Sequence, residues 1–178
     1  MIAAPSSGGS LASVPAMDVA GYNHSDSITI AAPPADVYAI VSDVTRIGEL
    51  SPVCKSAAWD DGGEAGKVGA WFTGHNVVND FSWDTHCKIV AATPGREFTW
   101  INHGPNGDVE LVRWGYTFAS DGDGTTVTET WQVMPAYPQF VSARNPDMDV
   151  KARIDGMQEM AREGITKTLG NLKKIAEG

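Results

Sequence analysis

The feature that most constrains the fold is a series of six strand-like runs between residues 53 and 134, each containing one tryptophan. Turn signals rich in Gly, Asn, Asp and Pro separate the runs at hairpin intervals, which indicates an antiparallel sheet. The predicted strands are 53–59, 67–78, 81–92, 96–103, 109–119 and 125–134, and they carry Trp59, Trp71, Trp83, Trp100, Trp114 and Trp131. One long helix follows, and a single helix cannot fill the concave side of a strongly curved sheet. The rings must therefore plug that space or line a cavity.

The chain of 178 residues suits one domain. Residues 1–24 are rich in Ala, Ser, Gly and Pro without a sustained period, so we predict a flexible N-terminal extension. The ordered domain is predicted to span residues 25–178, with its first strand starting at Ser27. Pro33-Pro34 opens the first of two short helices, and Pro52 ends the second.

The last element is predicted to be a helix from Pro146 to Glu177, with Asn145 as its N-cap. A proline-bearing connection, 135–140, leads into it. Gly164 borders the apolar face of this helix beside Met157 and Met160. The missing side chain could leave room for a ligand or allow close packing of helix on sheet, and both interpretations stay open. Gly156 and Gly170 are predicted to project to the polar side.

The charge of the chain limits its partners. Its formal net charge is −9 and no Lys/Arg cluster stands out, which argues against binding to nucleic acid or an anionic membrane surface. No apolar run is long enough to predict membrane insertion. The two cysteines, Cys54 and Cys87, suggest buried thiols in a reducing compartment, with a disulfide as the alternative. The first positive charge is Arg46, so no basic signal region is visible and we expect a cytoplasmic protein.

The order of elements is one strand, two short helices, six strands and a long C-terminal helix. A resemblance to a known superfamily is carried by Val37-Tyr38 with the following helix and by the segments Val68–Asn76, Ala91–Trp100, Trp114–Phe118, Gly124–Trp131 and Thr168–Lys173. The chain resembles the START-like (SRPBCC) superfamily, and within it the polyketide cyclase/dehydrase-type family of bacterial proteins. The resemblance implies an α+β helix-grip fold, in which a seven-stranded curved antiparallel sheet wraps round the C-terminal helix. It leaves function open, because the superfamily includes carriers, receptors and enzymes.

Strand parity predicts which side chains face the hollow, because alternate residues of a strand point to the same side. Together with one face of the last helix, it gives a set of candidate ligand-binding residues: Phe72, Asn76, Trp83, Cys87, Phe98, Trp100, Asn102, Trp114, Tyr116, Glu129, Trp131, Met157, Met160, Ala161 and Gly164. Trp71 should point outward, under a loop or a partner. Glu129 is the most informative residue, since a buried carboxylate is costly unless it is paired or protonated. It could bond to a neighbouring ring or hydroxyl, or it could orient a ligand.

The sequence offers little catalytic chemistry. His75, His86 and His103 lie on separate predicted strands, so no metal site is expected, and no nucleotide-binding glycine motif predicts a cofactor. Family members that cyclise aromatic polyketides place an arginine inside the cavity, whereas the parity of Arg113 puts it outside. Tyr116 and Glu129 are therefore the remaining acid–base candidates.

We thus predict a protein that binds a hydrophobic small molecule, such as a lipid or polyketide, between the sheet and the last helix. The alternative is a cofactor-independent cyclase, aromatase or dehydratase that uses the same cavity. A third hypothesis is an interaction domain in which the rings only form core and Trp71 supports a homodimer.

Overall fold

The computed structural model describes residues 16–60 and 64–178. Seven strands form one antiparallel sheet in the order β1-β7-β6-β5-β4-β3-β2, which confirms the predicted helix-grip architecture. The strands are β1 (Asn23–Ile30), β2 (Cys54–Trp59), β3 (Trp71–Val78), β4 (Phe81–Thr93), β5 (Glu97–His103), β6 (Glu110–Asp121) and β7 (Gly124–Val133). Consecutive strands from β2 to β7 are neighbours joined by hairpins, and β1 closes the order against β7.

The register of the sheet places the predicted inward residues in rows across neighbouring strands. Trp100 of β5 pairs with Trp114 of β6, which pairs with Trp131 of β7. Tyr116 pairs with Glu129 one step further along β6 and β7. Cross-strand partners share a face, so these side chains all lie on the side of the sheet that the last helix covers.

The N-terminal boundary differs from the prediction. β1 begins at Asn23 rather than Ser27, and Val19 ahead of it is only 5 % exposed. The Tyr22 hydroxyl donates to Asp155 Oδ1 at 2.8 Å, which ties this segment to the last helix. Residues 1–15, most of the predicted flexible extension, lie outside the described residues. The ordered domain therefore begins before residue 25.

Two short helices follow β1, as predicted. They are α1 (Pro34–Ser42) and α2 (Ile47–Leu50), with a 3-10 turn at Val44–Arg46 between them. Pro34 occupies the first turn of α1, where a missing N–H costs no hydrogen bond. The ring of Tyr38 on α1 packs edge-on against Phe98 and Phe118, with centroids 6.0 and 5.6 Å apart. α1 thereby fills one end of the concave side of the sheet.

The segment before the last helix differs from the prediction, because it forms a further helix. The predicted connection 135–140 includes the first half of this helix, α3 (Tyr137–Arg144). Asn145, the predicted N-cap of the last helix, instead follows α3, and its N–H donates to the Val141 carbonyl. The last helix, α4 (Val150–Glu177), starts at its N-cap Asp149, whose side chain accepts a hydrogen bond from the Ala152 N–H at 2.9 Å.

The two halves of α4 pack differently. The C-terminal half carries Ile165, Leu169 and Leu172, all nearly or fully buried, and it completes the core beneath α1. The N-terminal half presents small residues at Ala152, Gly156, Ala161 and Gly164, which leave space above the sheet. In the described part of the chain, no helix combines the length and the apolarity needed to span a bilayer.

Candidate functional site

A cavity of about 1120 Å³ lies between the concave face of the sheet and the N-terminal half of α4. The structure brings nearly all of the candidate ligand-binding residues to its wall: Phe72, Asn76, Trp83, Cys87, Trp100, Asn102, Trp114, Tyr116, Glu129, Trp131, Met157, Met160, Ala161 and Gly164. Ligand pockets usually measure about 300–1000 Å³, so this space can hold a large small molecule. The tryptophans of the central strands therefore line a hollow and do not merely plug it.

The aromatic wall is built by a run of rings on adjacent strands. Trp100 stacks on Trp114 with centroids 6.5 Å apart and on Tyr116 at 6.0 Å, and Phe72 meets Trp100 edge-on at 5.9 Å. Trp100 and Trp131 are buried, which fixes the floor of the cavity. Rings held in this way offer a large apolar surface that loses little conformational freedom when a ligand binds.

Phe98 is the candidate that does not border the cavity. It has the predicted inward parity, but it is fully buried at the end of the sheet that α1 covers, against the Tyr38 ring. Its role in the structure is to close that end of the hollow.

The mouth of the cavity lies between the β3–β4 hairpin and α4. Phe81 is 66 % exposed and stacks on Trp83 with centroids 5.4 Å apart, and Met160 across the mouth is 40 % exposed. Gly156 and Gly164 face the opening, and a Cβ added to either would meet no atom within 4 Å. The prediction that Gly156 lies on the polar side of the helix is therefore wrong. The orientation of α4 about its own axis places both glycines at the border of the cavity.

Two of the candidate polar residues are satisfied within the protein. Asn76 Nδ2 donates to the carbonyls of Gly74 and Trp83, each at 3.3 Å. The Cys87 thiol donates to Asn102 Oδ1 at 3.2 Å. These contacts explain how polar groups are tolerated on an apolar wall, and they leave fewer donors free for a ligand.

Among the described residues of the cavity wall, two keep buried side-chain atoms without a hydrogen-bond partner: the half-buried His103, at both ring nitrogens, and Glu129, at Oε2. Glu129 is the more deeply buried of the two, at 3 % exposed. Burial raises the pKa of this carboxyl from its ordinary 4.5 to about 8, although a hydrogen bond from Tyr116 lowers it in part. Burial and the neighbouring Glu129 raise the pKa of the Tyr116 phenol well above 10. Both groups are therefore protonated at neutral pH. The Tyr116 hydroxyl is engaged with Glu129, so the carboxyl of Glu129 is the group that can donate a hydrogen bond into the cavity.

The cysteines do not form a nucleophilic site. Both are free, and burial raises the pKa of Cys54 to about 11 and that of Cys87 further still. The thiolate is the reactive form of cysteine, so neither side chain is activated at neutral pH.

Sequence reasoning missed several residues at the rim, among them Tyr137, Met148 and Arg153. Arg153 Nε donates to the Tyr137 hydroxyl at 2.8 Å, and this bond joins α3 to the first turn of α4 beside the mouth. These residues escaped prediction because α3 itself was not recognised. The signal that could have found them is the aromatic and aliphatic spacing of Tyr137, Phe140 and Val141.

The chain matches the model of the family described as polyketide cyclase/dehydrase and lipid transport over residues 23–177. The chain belongs to this family. No curated protein matches it. Family membership supports a role in binding or cyclising a small molecule, and the cavity described above is where such a role would be performed.

Solved structures agree with the family assignment. The Polyketide_cyc-like protein Cgl2372 from Corynebacterium glutamicum is 38 % identical, with a TM-score of 0.61 over 86 % of this chain and 90 % of that one. Protein NE0264 from Nitrosomonas europaea shares the fold at 13 % identity, with a TM-score of 0.62 over 89 % of this chain and 96 % of its own. The di-domain ARO/CYC BexL from the BE-7585A biosynthetic pathway gives a TM-score of 0.66 at 19 % identity; the match covers 88 % of this chain and 50 % of BexL.

The outer face of the sheet in this family member differs from the cavity in character. Trp71 points outward as predicted, stacks on His86 at 4.4 Å and lies against the loop at Gly107. His86 Nε2 contacts Asp60 Oδ2 at 2.7 Å. Arg113 is exposed on this same face and does not border the cavity. Within residues 16–60 and 64–178, no three His, Cys, Asp or Glu side chains cluster closely enough to hold a metal ion.

Proposed function

We propose that this member of the polyketide cyclase/dehydrase family binds a hydrophobic small molecule, a lipid or polyketide-like metabolite, in the cavity under α4. The observation that carries the proposal is the 1120 Å³ space lined by ordered aromatic rings and open at a mouth with exposed apolar residues. Burying apolar ligand surface is worth roughly 25 cal/mol per Å², so rings on the floor and walls supply most of the affinity.

The mouth supports ligand exchange without rearrangement of the sheet. Small residues on α4 face Phe81 and Trp83 on the β3–β4 hairpin, so the opening is bordered by one helix face and one hairpin tip. Phe81 is exposed and its ring is packed on Trp83, so its displacement during passage of a ligand would uncover no core residue.

Binding is tested with N-phenyl-1-naphthylamine, a neutral probe whose fluorescence rises in apolar surroundings. We expect a saturable rise with one probe per chain in the unmodified protein. Trp83→Ala removes a partly exposed ring at the mouth and should weaken probe binding about tenfold. Trp71→Ala removes a partly exposed ring from the outer face and is the matched control. Non-saturable fluorescence, or equal losses in both variants, would contradict the proposed site.

A second candidate function, acid–base cyclisation or dehydration, is favoured by the Tyr116–Glu129 pair on the cavity wall. General acid–base catalysis contributes about 10²–10⁴-fold to a rate. Tyr116→Phe and Glu129→Gln should each slow ring closure of a poly-β-keto test compound about a hundredfold, with probe affinity retained. The measurement is the rate of product formation, followed by chromatography and mass spectrometry. Equal turnover in the parent protein and both variants would exclude a catalytic role for Tyr116 and Glu129.

A further inference from the structure

Glu129 occupies a position that packing alone does not explain. It lies on β7 between Val127 and Trp131 on the inward face, directly across from Tyr116, on a wall made mainly of rings. A residue of this size could be replaced by an apolar one without exposing any surface. The chain instead places there a carboxyl group with one oxygen, Oε2, that has no hydrogen-bond partner. An unpaired buried polar atom of this kind is uncommon and points to a missing partner.

Within the described residues, Glu129 takes part in no salt bridge. The titratable residues that line the cavity are Cys54, Asp84, His86, Cys87, His103, Tyr116, Tyr137 and Arg153. Arg153 donates instead to the Tyr137 hydroxyl, and the His86 ring lies on the outer face, where it contacts Asp60. On the other neighbouring strand, β1, the register partner of Glu129 is Asp26, an exposed acid that accepts from Thr166 of α4. Of all these groups, only Tyr116 acts on the pKa of Glu129, and it does so through a hydrogen bond. The group is therefore held as a neutral acid in an apolar wall.

We propose that Glu129 donates a hydrogen bond to a carbonyl oxygen on the buried end of the ligand, and so selects ketones over hydrocarbons of the same shape. This inference rests on the proposed binding function and adds the chemical class of the ligand. The terminal torsion of a glutamate is soft, so a small rotation of the carboxyl can present its O–H to the cavity. On its other side, the Glu129 carboxyl is bordered by Tyr116 of the neighbouring strand, which limits its rotation in that direction.

A carbonyl oxygen fits this donor better than the other polar groups a ligand could carry. A carbonyl needs one donor and carries no hydrogen of its own, so its pairing with the acid leaves no polar atom unsatisfied. A hydroxyl would bring its own hydrogen into an apolar wall and need a further acceptor there. A cationic amine could pair with an ionised Glu129, but both charges would then have to be taken out of water.

The test uses three probes that share one tricyclic frame: fluorene, fluorenone and 9-aminofluorene. Each is measured by its displacement of N-phenyl-1-naphthylamine from the whole chain at pH 6.5. We expect fluorenone to compete about tenfold better than fluorene, as one hydrogen bond to a buried donor would give. The infrared carbonyl band of bound fluorenone should also lie at lower frequency than in an apolar solvent.

Substitutions assign that preference to Glu129. Glu129→Met should bind both probes equally and lose the infrared shift, whereas Glu129→Gln keeps an N–H donor and should keep the preference. Gln132→Met, an exposed position on the same strand, is the matched control and should behave like the parent protein. In the parent protein the preference for fluorenone should decline as the pH rises past about 8, and in Glu129→Gln it should not.

Three results would overturn the inference, and they differ in what else they remove. Equal binding of fluorene and fluorenone to the parent protein removes the carbonyl selection and leaves the binding function intact. Tighter binding of 9-aminofluorene than of fluorenone shows that the site is built for a cation. Failure of all three probes to displace the reporter, or of the reporter to bind at all, removes the proposed binding function together with the inference.

Discussion

Gly164→Trp is expected to weaken binding of N-phenyl-1-naphthylamine about a hundredfold while the protein stays folded. Gly164 faces the mouth of the cavity, and a Cβ built on it meets no atom within 4 Å. An indole added there has open space around its Cβ and stands at the wall of the cavity. It therefore fills volume that a ligand needs, without displacing the residues that form the core.

The stability of the variant should rise slightly, because glycine in a helix interior is about 1 kcal/mol less favourable than alanine and tryptophan lies between the two. Binding and stability are thus expected to change in opposite directions. A variant that lost binding because it unfolded would show both decreasing together, so urea denaturation followed by circular dichroism separates the two explanations.

Gly170→Trp is the matched control for this experiment. Gly170 lies in the same helix, is also free of atoms within 4 Å of an added Cβ, and does not border the cavity. It should gain the same helical stability and bind the probe like the parent protein. Equal loss of binding in Gly164→Trp and Gly170→Trp would show that the mouth of the cavity does not lie beside Gly156 and Gly164.

Strand parity explains why so much of the cavity wall could be predicted from the sequence. The side-chain period of a strand is two, so a strand located within a residue or two by its turn signals still gives the correct face. Trp114 and Tyr116 could be assigned to the concave side in this way, and so could Glu129 and Trp131. Parity does not give position along the sheet, however. Phe98 has the correct face but lies beneath α1, because the packing of α1 depends on contacts far apart in the sequence.

The rim of the cavity was less predictable because local helix signals were ambiguous there. Asn145, Pro146 and Asp147 form a strong local start signal, yet α4 begins at Val150 with Asp149 as its N-cap, and Asn145 is the C-cap of α3. Both positions satisfy the capping rules, and tertiary packing decides between them. The rotation of α4 about its axis is likewise set by packing against β1 and β7, which is why the exposure of Gly156 to the cavity did not follow from its place in the sequence.

Glu129→Gln is expected to make the protein more stable than its parent at alkaline pH and to bring the two closer together below about pH 5. The pKa of the Glu129 carboxyl is raised by burial from 4.5 to about 8. Between these values the folded state holds a proton that the unfolded state has released. Stability must then fall as the pH rises through this window, because the folded protein binds more protons than the unfolded chain. Glutamine does not titrate, so its variant lacks this loss.

A pKa raised from 4.5 to about 8 corresponds to an upper limit of roughly 5 kcal/mol, at about 1.4 kcal/mol per pKa unit. The measurement is the difference in free energy of unfolding between variant and parent, taken from urea titrations at intervals from pH 4.5 to pH 9. Other titrating groups cancel in this difference because the two proteins share them. The same substitution at Glu110, an exposed position on β6, is the control for replacing a carboxyl that is not buried. A difference for Glu129→Gln that does not change with pH would mean that this carboxyl is ionised and solvated at neutral pH. It would then not be the neutral hydrogen-bond donor proposed to face the cavity.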